Sequence, residues 1–168
     1  GDIAGTTNSI SYLARGLSEK GHNVYVGCRR ESLLYSLLKD TKVNLIEMTF
    51  KSKVDYKNMK RINEFVKKYN IDIINAQSSK DRYTSIFSKI LYRFDSKIVH
   101  TRRQTPKSSG FFLQNWLYNK FTDMFVAVSD EVKEELIKGG IAKDKIRVIY
   151  NGTPNYKYEN IDTSQKEV

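Results

Sequence analysis

The stretch from Phe125 to Gly152 constrains this chain more than any other. It opens with the apolar run Phe125-Val-Ala-Val128, passes Ser129 into the acidic Asp130-Glu131, and reaches Gly139-Gly140. It then closes with Lys145-Ile-Arg-Val-Ile-Tyr150 before Asn151-Gly152. A short apolar run bounded by turn residues reads as a buried strand. A serine ahead of acidic residues reads as a helix cap that complements the helix dipole, and the glycine pair reads as the stop. Strand, helix and strand at this spacing require two parallel strands joined by a crossover. Asn151-Gly152 predicts a turn after them.

The same alternation runs back to the start. Val24–Cys28, Val43–Met48, Ile71–Ala76, Lys97–Thr101 and Met124–Val128 read as strands. Helical spacing covers Thr6–Lys20 through Ile10, Leu13, Ala14 and Leu17, with Thr6, Thr7 and Asn8 as cap oxygens and Gly21 as terminator. Further helices are expected over Ser32–Lys39, Tyr56–Tyr69 (Met59, Ile62, Phe65, Val66), Arg82–Leu91 and Ser129–Lys138. Six strands alternating with helices predict an α/β fold, a doubly wound parallel sheet covered on both faces. After Pro154 the chain turns polar, so 154–168 reads as a linker or tail.

With 168 residues, 39% hydrophobic, the chain suits one domain. No run approaches the roughly 18 apolar residues of a membrane span, and no signal peptide is visible. The single cysteine, Cys28, lies in a strand and reads as a buried, inert thiol. These features suit a reducing cytoplasm. The net charge of +10 is concentrated: Lys80–Lys120 holds nine Lys or Arg and two Asp. Such a field draws anions, whether phosphates, nucleotides, nucleic acid or an acidic bilayer; the plainer reading is solvated helix faces.

Four segments carry candidate chemistry. Gly1-Asp-Ile-Ala-Gly5-Thr6-Thr7 leads into a helix N-terminus, where backbone N–H groups favour an anion; alternatively Gly5 serves a tight turn with positive φ. Asn75-Ala-Gln77-Ser78-Ser79-Lys80-Asp81-Arg82 follows the carboxyl end of a strand, the place where open α/β sheets hold ligands. Its amides can hydrogen-bond sugar hydroxyls but cannot exchange protons, and Ser79 or Asp81 alternatively caps the next helix. His100-Thr101-Arg102-Arg103 again lies past a strand. Adjacent guanidinium groups suit phosphate or carboxylate, unless they are plain surface charge. Strand alternation makes His100 a packed core residue sooner than a base. Finally, Lys107-Ser-Ser-Gly-Phe111-Phe-Leu-Gln-Asn-Trp116-Leu-Tyr-Asn-Lys120 reads either as an interfacial helix or as a core helix turning Phe112 and Trp116 inward. No metal-ligand cluster, Gly-x-Ser-x-Gly elbow or Walker loop is present.

The order of the Gly loop, Arg15-Gly-Leu-Ser-Glu-Lys-Gly-His-Asn-Val-Tyr-Val26, strand-Gln77-Ser-Ser79, strand-Thr101-Arg-Arg103, AVSDEV at 127–132 and VIYNG at 148–152 resembles a known family. It is similar to the Rossmann-like N-terminal, acceptor-side domain of retaining GT-B glycosyltransferases of family 4 (group 1), of lipopolysaccharide or cell-envelope type. The resemblance covers residues 1–153. It implies hexosyl transfer from a nucleotide-sugar to a cell-envelope glycan or lipid-linked acceptor, with no metal or other cofactor. The donor would be held mainly by a C-terminal domain, so 1–168 alone is expected to be inactive.

By the same resemblance Gly5 and Thr6 approach the donor phosphate and acceptor, and Gln77, Ser78, Ser79, Arg102 and Arg103 line the cleft. Phe111 and Trp116 are candidates for acceptor contact or for peripheral contact with an anionic inner membrane. Asn75, Gln77 and Arg103 stand where family members often carry histidines, which leaves the catalytic residue unassigned. A further strand is expected to precede Gly1, the chain being cut from a longer protein at both ends. The competing readings are a non-enzymatic basic module that binds nucleic acid or anionic membrane, and an epimerase or phosphorylase of the same architecture; nucleic acid is the less expected partner.

Overall fold

A computed structural model describes residues 4–104 and 112–152, which form two compact units. Phe111 and the expected tail 154–168 lie outside the described residues.

The first unit runs to Met48 and includes Asn151 and Gly152. Helix α1 (Ala4–Glu19) leads to strand β1 (Tyr25–Cys28), helix α2 (Leu33–Leu38) and strand β2 (Asn44–Glu47). The two strands pair in parallel with Tyr25 opposite Asn44. Ala14, Leu38 and Val43 form the small core, flanked by Val24, Val26, Leu34 and Leu45. Gly21 ends α1 at φ 88°, a left-handed position that glycine occupies without steric penalty. Cys28 is buried, as expected, and burial pushes its thiol pKa up.

Three expectations fail here. Helix α1 begins at Ala4, so Thr6, Thr7 and Asn8 lie inside it and do not cap it. Gly5 sits in its first turn without positive φ. The inward face of α1 is Thr7, Ser11 and Ala14, while Leu13 is 41% exposed and Leu17 37%. Ala14 packs with Leu38 of α2, and the Arg15 guanidinium donates to the Leu37 carbonyl. The turn expected at Asn151-Gly152 runs into residues outside those described; Asn151 Oδ1 accepts from Ser9 Oγ at 2.9 Å.

The second unit, Thr49–Tyr150, holds a four-stranded parallel sheet. Its elements are α3 (Tyr56–Tyr69), β3 (Ile73–Ala76), α4 (Ser79–Tyr92), β4 (Lys97–Arg102), α5 (Phe112–Phe121), β5 (Met124–Ala127), α6 (Asp130–Lys138), a short 3₁₀ turn at Lys143–Lys145 and β6 (Ile146–Val148). The spatial order is β3-β4-β5-β6, every pair parallel. The α/β class and all six expected strands are therefore present, divided between two sheets of two and four strands.

Ile86, Ile98, Phe125, Ala127, Val132, Leu136, Ile141 and Ile146 make the core, joined by Tyr118. Alternation along β4 turns Ile98 and His100 into it. Ser129 caps α6 by accepting from the Val132 N–H, as the sequence suggests. Gly140 follows at φ 87°, and a Cβ there would meet Asn115 Nδ2 at 2.8 Å. The reading of Trp116 as core is overturned: it is 47% exposed, edge-on to Phe121, with Lys120 Nζ 4.8 Å from its ring. Among the described side chains of α5, Tyr118 is the buried one, two positions round the helix.

Candidate functional site

The register of β3 on β4 sets Ala76 opposite His100, so residues 77–78 and 101–103 emerge along one carboxyl edge of the sheet. Thr101 Oγ1 donates to Asn75 Oδ1 at 2.9 Å, tying the two strand ends together. One residue beyond, the Arg103 guanidinium donates to Gln77 Oε1. This bond fixes the Gln77 amide, leaving its NH₂ as a donor.

Ser78 stands at the N-cap of α4, and the helix starts at Ser79, three residues ahead of the expected Arg82. The cause is Asp81, whose carboxylate accepts from the Gln77 N–H (3.0 Å), the Ser78 N–H (2.8 Å) and the Ser78 hydroxyl (2.9 Å). These bonds satisfy amides that would otherwise keep the first turn frayed. Burial pushes the Asp81 carboxyl pKa up, and the bonds from Gln77 and Ser78 oppose that shift. Ser78 is thus the N-cap and Asp81 closes the capping box, while Ser79 is exposed in the first turn.

Arg82 is only 6% exposed. Its guanidinium lies 4.6 Å from the Tyr118 ring centre and 5.9 Å from that of Tyr83, where the ring faces offer electron density to a cation. Arg102 is half-buried at the end of β4. Among the described residues neither arginine is in an ion pair, and the Nε of each is buried without a hydrogen-bond partner. Burial, with the neighbouring charge of Arg82 second, holds the Arg102 pKa below the usual arginine range. Burial also lowers that of Arg103. Arg102 and Arg103 are therefore not plain surface charge.

His100 lies beneath this group, 1% exposed, edge-on to Tyr118 (5.8 Å) and Phe125 (5.2 Å). Burial, then the charges of Arg82 and Arg102, push its pKa down to about 2, so the imidazole is neutral. It is the packed core residue that strand alternation suggests.

The second unit thus gathers Gln77, Ser78, Arg102 and Arg103 at one sheet edge, while Gly5 and Thr6 belong to the first unit. Arg82 and Tyr118 were not among the site residues expected from sequence. Helical spacing held the signal, since Arg82 and the fully buried Ile86 stand four apart on one face of α4.

A family model of glycosyltransferase family 4 matches residues 3–154, and the chain belongs to that family. No curated protein matches the chain. Among solved structures, a glycosyltransferase from Rickettsia africae ESF-5 is similar at TM-score 0.76 and 26% identity, over 94% of this chain and 42% of that one. Alr3699/HepE from Anabaena, solved in complex with UDP, is similar at TM-score 0.72 and 17% identity, over 92% and 42%. The UDP-GlcNAc 2-epimerase from Neisseria meningitidis, bound to UDP-GlcNAc, is similar at TM-score 0.56 and 14% identity, over 87% and 44%. The chain therefore spans less than half the length of each of these proteins.

Proposed function

We propose that this chain is the acceptor-binding half of a glycosyltransferase that moves a sugar from a nucleotide-sugar to its acceptor. Membership of glycosyltransferase family 4 supports transferase chemistry. The observation that carries the acceptor role is the Gln77–Arg103 pair beside Arg102 at the carboxyl edge of β3 and β4. An oriented amide and two guanidinium groups bind hydroxyls and oxyanions, and none of the three accepts a proton at neutral pH. The edge is therefore suited to holding and orienting a substrate. The base or nucleophile of the reaction is not assigned to it.

In this reading residues up to 153 form the acceptor-side domain, and 154–168 lead to a donor-binding domain in the same protein. The acceptor is a cell-envelope glycan or a lipid-linked sugar, and the hexosyl group moves with retention and without a metal. The protein works in the cytoplasm, on the inner face of the membrane. Trp116 and Lys120, adjacent and exposed on α5, suit contact with an anionic bilayer. Gly5 and Thr6 are proposed to approach the donor phosphate from the first turn of α1, where unpaired N–H groups favour an anion.

The test is a transfer assay of the intact protein that carries this chain, with UDP-, GDP- and ADP-hexoses and a glycolipid extract in the presence of EDTA. We expect transfer by the intact protein and none by residues 1–168 alone. Conversion of the nucleotide-sugar to an epimer without any acceptor would overturn the reading. Transfer by 1–168 alone would overturn the division of labour between halves.

A further inference from the structure

A buried arginine is normally matched by a carboxylate, because an isolated cation taken from water is costly. The second unit departs from this rule twice at one place. Arg82 is 94% buried by its 6% exposure, and Arg102 is half-buried. Neither is in an ion pair among the described residues, and each has a buried Nε without a hydrogen-bond partner. The carboxylate closest in sequence, Asp81, is committed to the backbone of Gln77 and Ser78. His100, below them, is neutral and offers no compensating charge.

Two further observations give the cluster a direction. Arg82 is held by its face on Tyr118, at 4.6 Å, and Tyr118 is itself wedged edge-on against His100. The guanidinium is therefore positioned by packing, and its hydrogen-bonding edge is not consumed by the rings. Arg102 stands where β4 ends, in the row of strand ends that also bears Gln77 and Arg103. Two cations that repel each other are thus held together by the fold, at the sheet edge that the proposed function assigns to the acceptor.

We propose that Arg82 and Arg102 together bind a compact oxyanion, a phosphate or diphosphate carried by the acceptor. This rests on the acceptor reading and specifies its substrate class: a phosphorylated acceptor, not a neutral glycan. Guanidinium matches phosphate through paired N–H donors, and an anion between the two arginines removes both their mutual repulsion and the cost of burial. Arg103, tied to Gln77, would orient the neighbouring sugar and not the phosphate.

The probes are inorganic pyrophosphate, and vesicles of phosphatidylcholine with and without phosphatidic acid, applied to this chain as it stands. Binding is read by calorimetry and by the rise in melting temperature. The variants are Arg102→Gln and Arg82→Gln, with Arg102→Gln decisive because half-buried Arg102 can be replaced without emptying the core. Loss of a charge-assisted contact is expected to weaken anion binding about tenfold or more. In the absence of anion, Arg102→Gln is expected to melt no lower than the parent, since it removes a repulsion; a structural arginine would melt lower.

Weakening seen with pyrophosphate assigns a phosphate on a soluble acceptor. Weakening confined to phosphatidic acid vesicles assigns a lipid-borne phosphate. Equal binding by parent and Arg102→Gln to both probes overturns the proposal. The transferase reading fails separately: anion binding that depends on Arg102 in a protein without sugar transfer refutes that reading alone. Transfer at parental rate by the intact Arg102→Gln protein refutes only the phosphate site.

Discussion

A buried imidazole that stays neutral makes stability depend on pH in a calculable way, and His100 is such a group. Its folded pKa of about 2 lies below the ordinary value of 6.5, so the unfolded chain binds the proton first as pH falls. The stability it confers is complete above pH 6.5 and is lost progressively below, towards the folded pKa. Relative to pH 7, linkage gives a loss of about 1.3 kcal/mol at pH 5.5 and about 2.6 kcal/mol at pH 4.5 from this residue alone. Both pH values stand well above the folded pKa, so the magnitude is set by the unfolded histidine. The perturbation is His100→Leu, which keeps the site apolar between Tyr118 and Phe125. Urea unfolding of parent and variant at pH 7.0, 5.5 and 4.5 isolates the term, because every other titrating group cancels in the difference. The variant's stability relative to the parent is expected to rise by about 2.6 kcal/mol between pH 7 and pH 4.5. A constant difference across the three pH values would refute the assignment of His100 as buried and neutral.

Three other perturbations follow from the structure. Asp123 accepts from the Ile98 N–H at 2.9 Å and pairs with Lys89 (3.6 Å) and Lys97 (3.3 Å). Although burial opposes its charge, those partners hold its pKa below 3.8. Its contribution is present above pH 3.8 and lost as pH falls through the folded value. Asp123→Asn is therefore expected to cost about 1–2 kcal/mol at pH 7, with the gap to the parent closing in acid melts. Gly140→Ala, at φ 87°, is expected to lower stability by about 1 kcal/mol, whereas Gly5→Ala, helical and unobstructed, leaves it equal or higher by a few tenths of a kcal/mol. Calorimetric melts of both variants check the contrast. Trp116→Ala with Lys120→Ala is expected to reduce binding to anionic vesicles in sedimentation without lowering the melting temperature, since both side chains are exposed.

The strands were legible because each is a short apolar run ended by turn residues, and the His100 side chain because alternation from Ile98 leaves it no other face. The cap at Ser129 was legible because the residues that satisfy helix N–H groups are few; at α4 the expected cap, Ser79 or Asp81, gives way to Ser78, with Asp81 closing the capping box from inside the helix. What failed did so through packing between distant segments. Periodicity gives Ile10, Leu13, Ala14 and Leu17 as the inner stripe of α1; Ala14 is buried as expected, but the small polar residues Thr7 and Ser11 are buried in place of Leu13 and Leu17. In α5 the spacing leaves Trp116 either interfacial or in the core; it is exposed, and Tyr118 is buried instead against His100 and Arg82, contacts invisible within its own helix. Arg82 reads from sequence only as the first residue of its helix; its alignment with Ile86 is the signal of its burial. Arg102 and Arg103 were picked out by adjacency alone, and the parallel register that delivers Arg103 to Gln77 is a tertiary fact.

If the β3–β4 edge holds the acceptor, Arg103→Ala in the intact protein is the decisive variant. Acceptor KM, nucleotide-sugar KM and melting temperature are measured for parent and variant with a single acceptor. Acceptor KM is expected to rise about tenfold or more, as for loss of a charge-assisted contact, with the donor KM and the melting temperature nearly unchanged. An unchanged acceptor KM, or a fall in melting temperature that accounts for the whole loss of activity, would make Arg103 a structural arginine and contradict the claim.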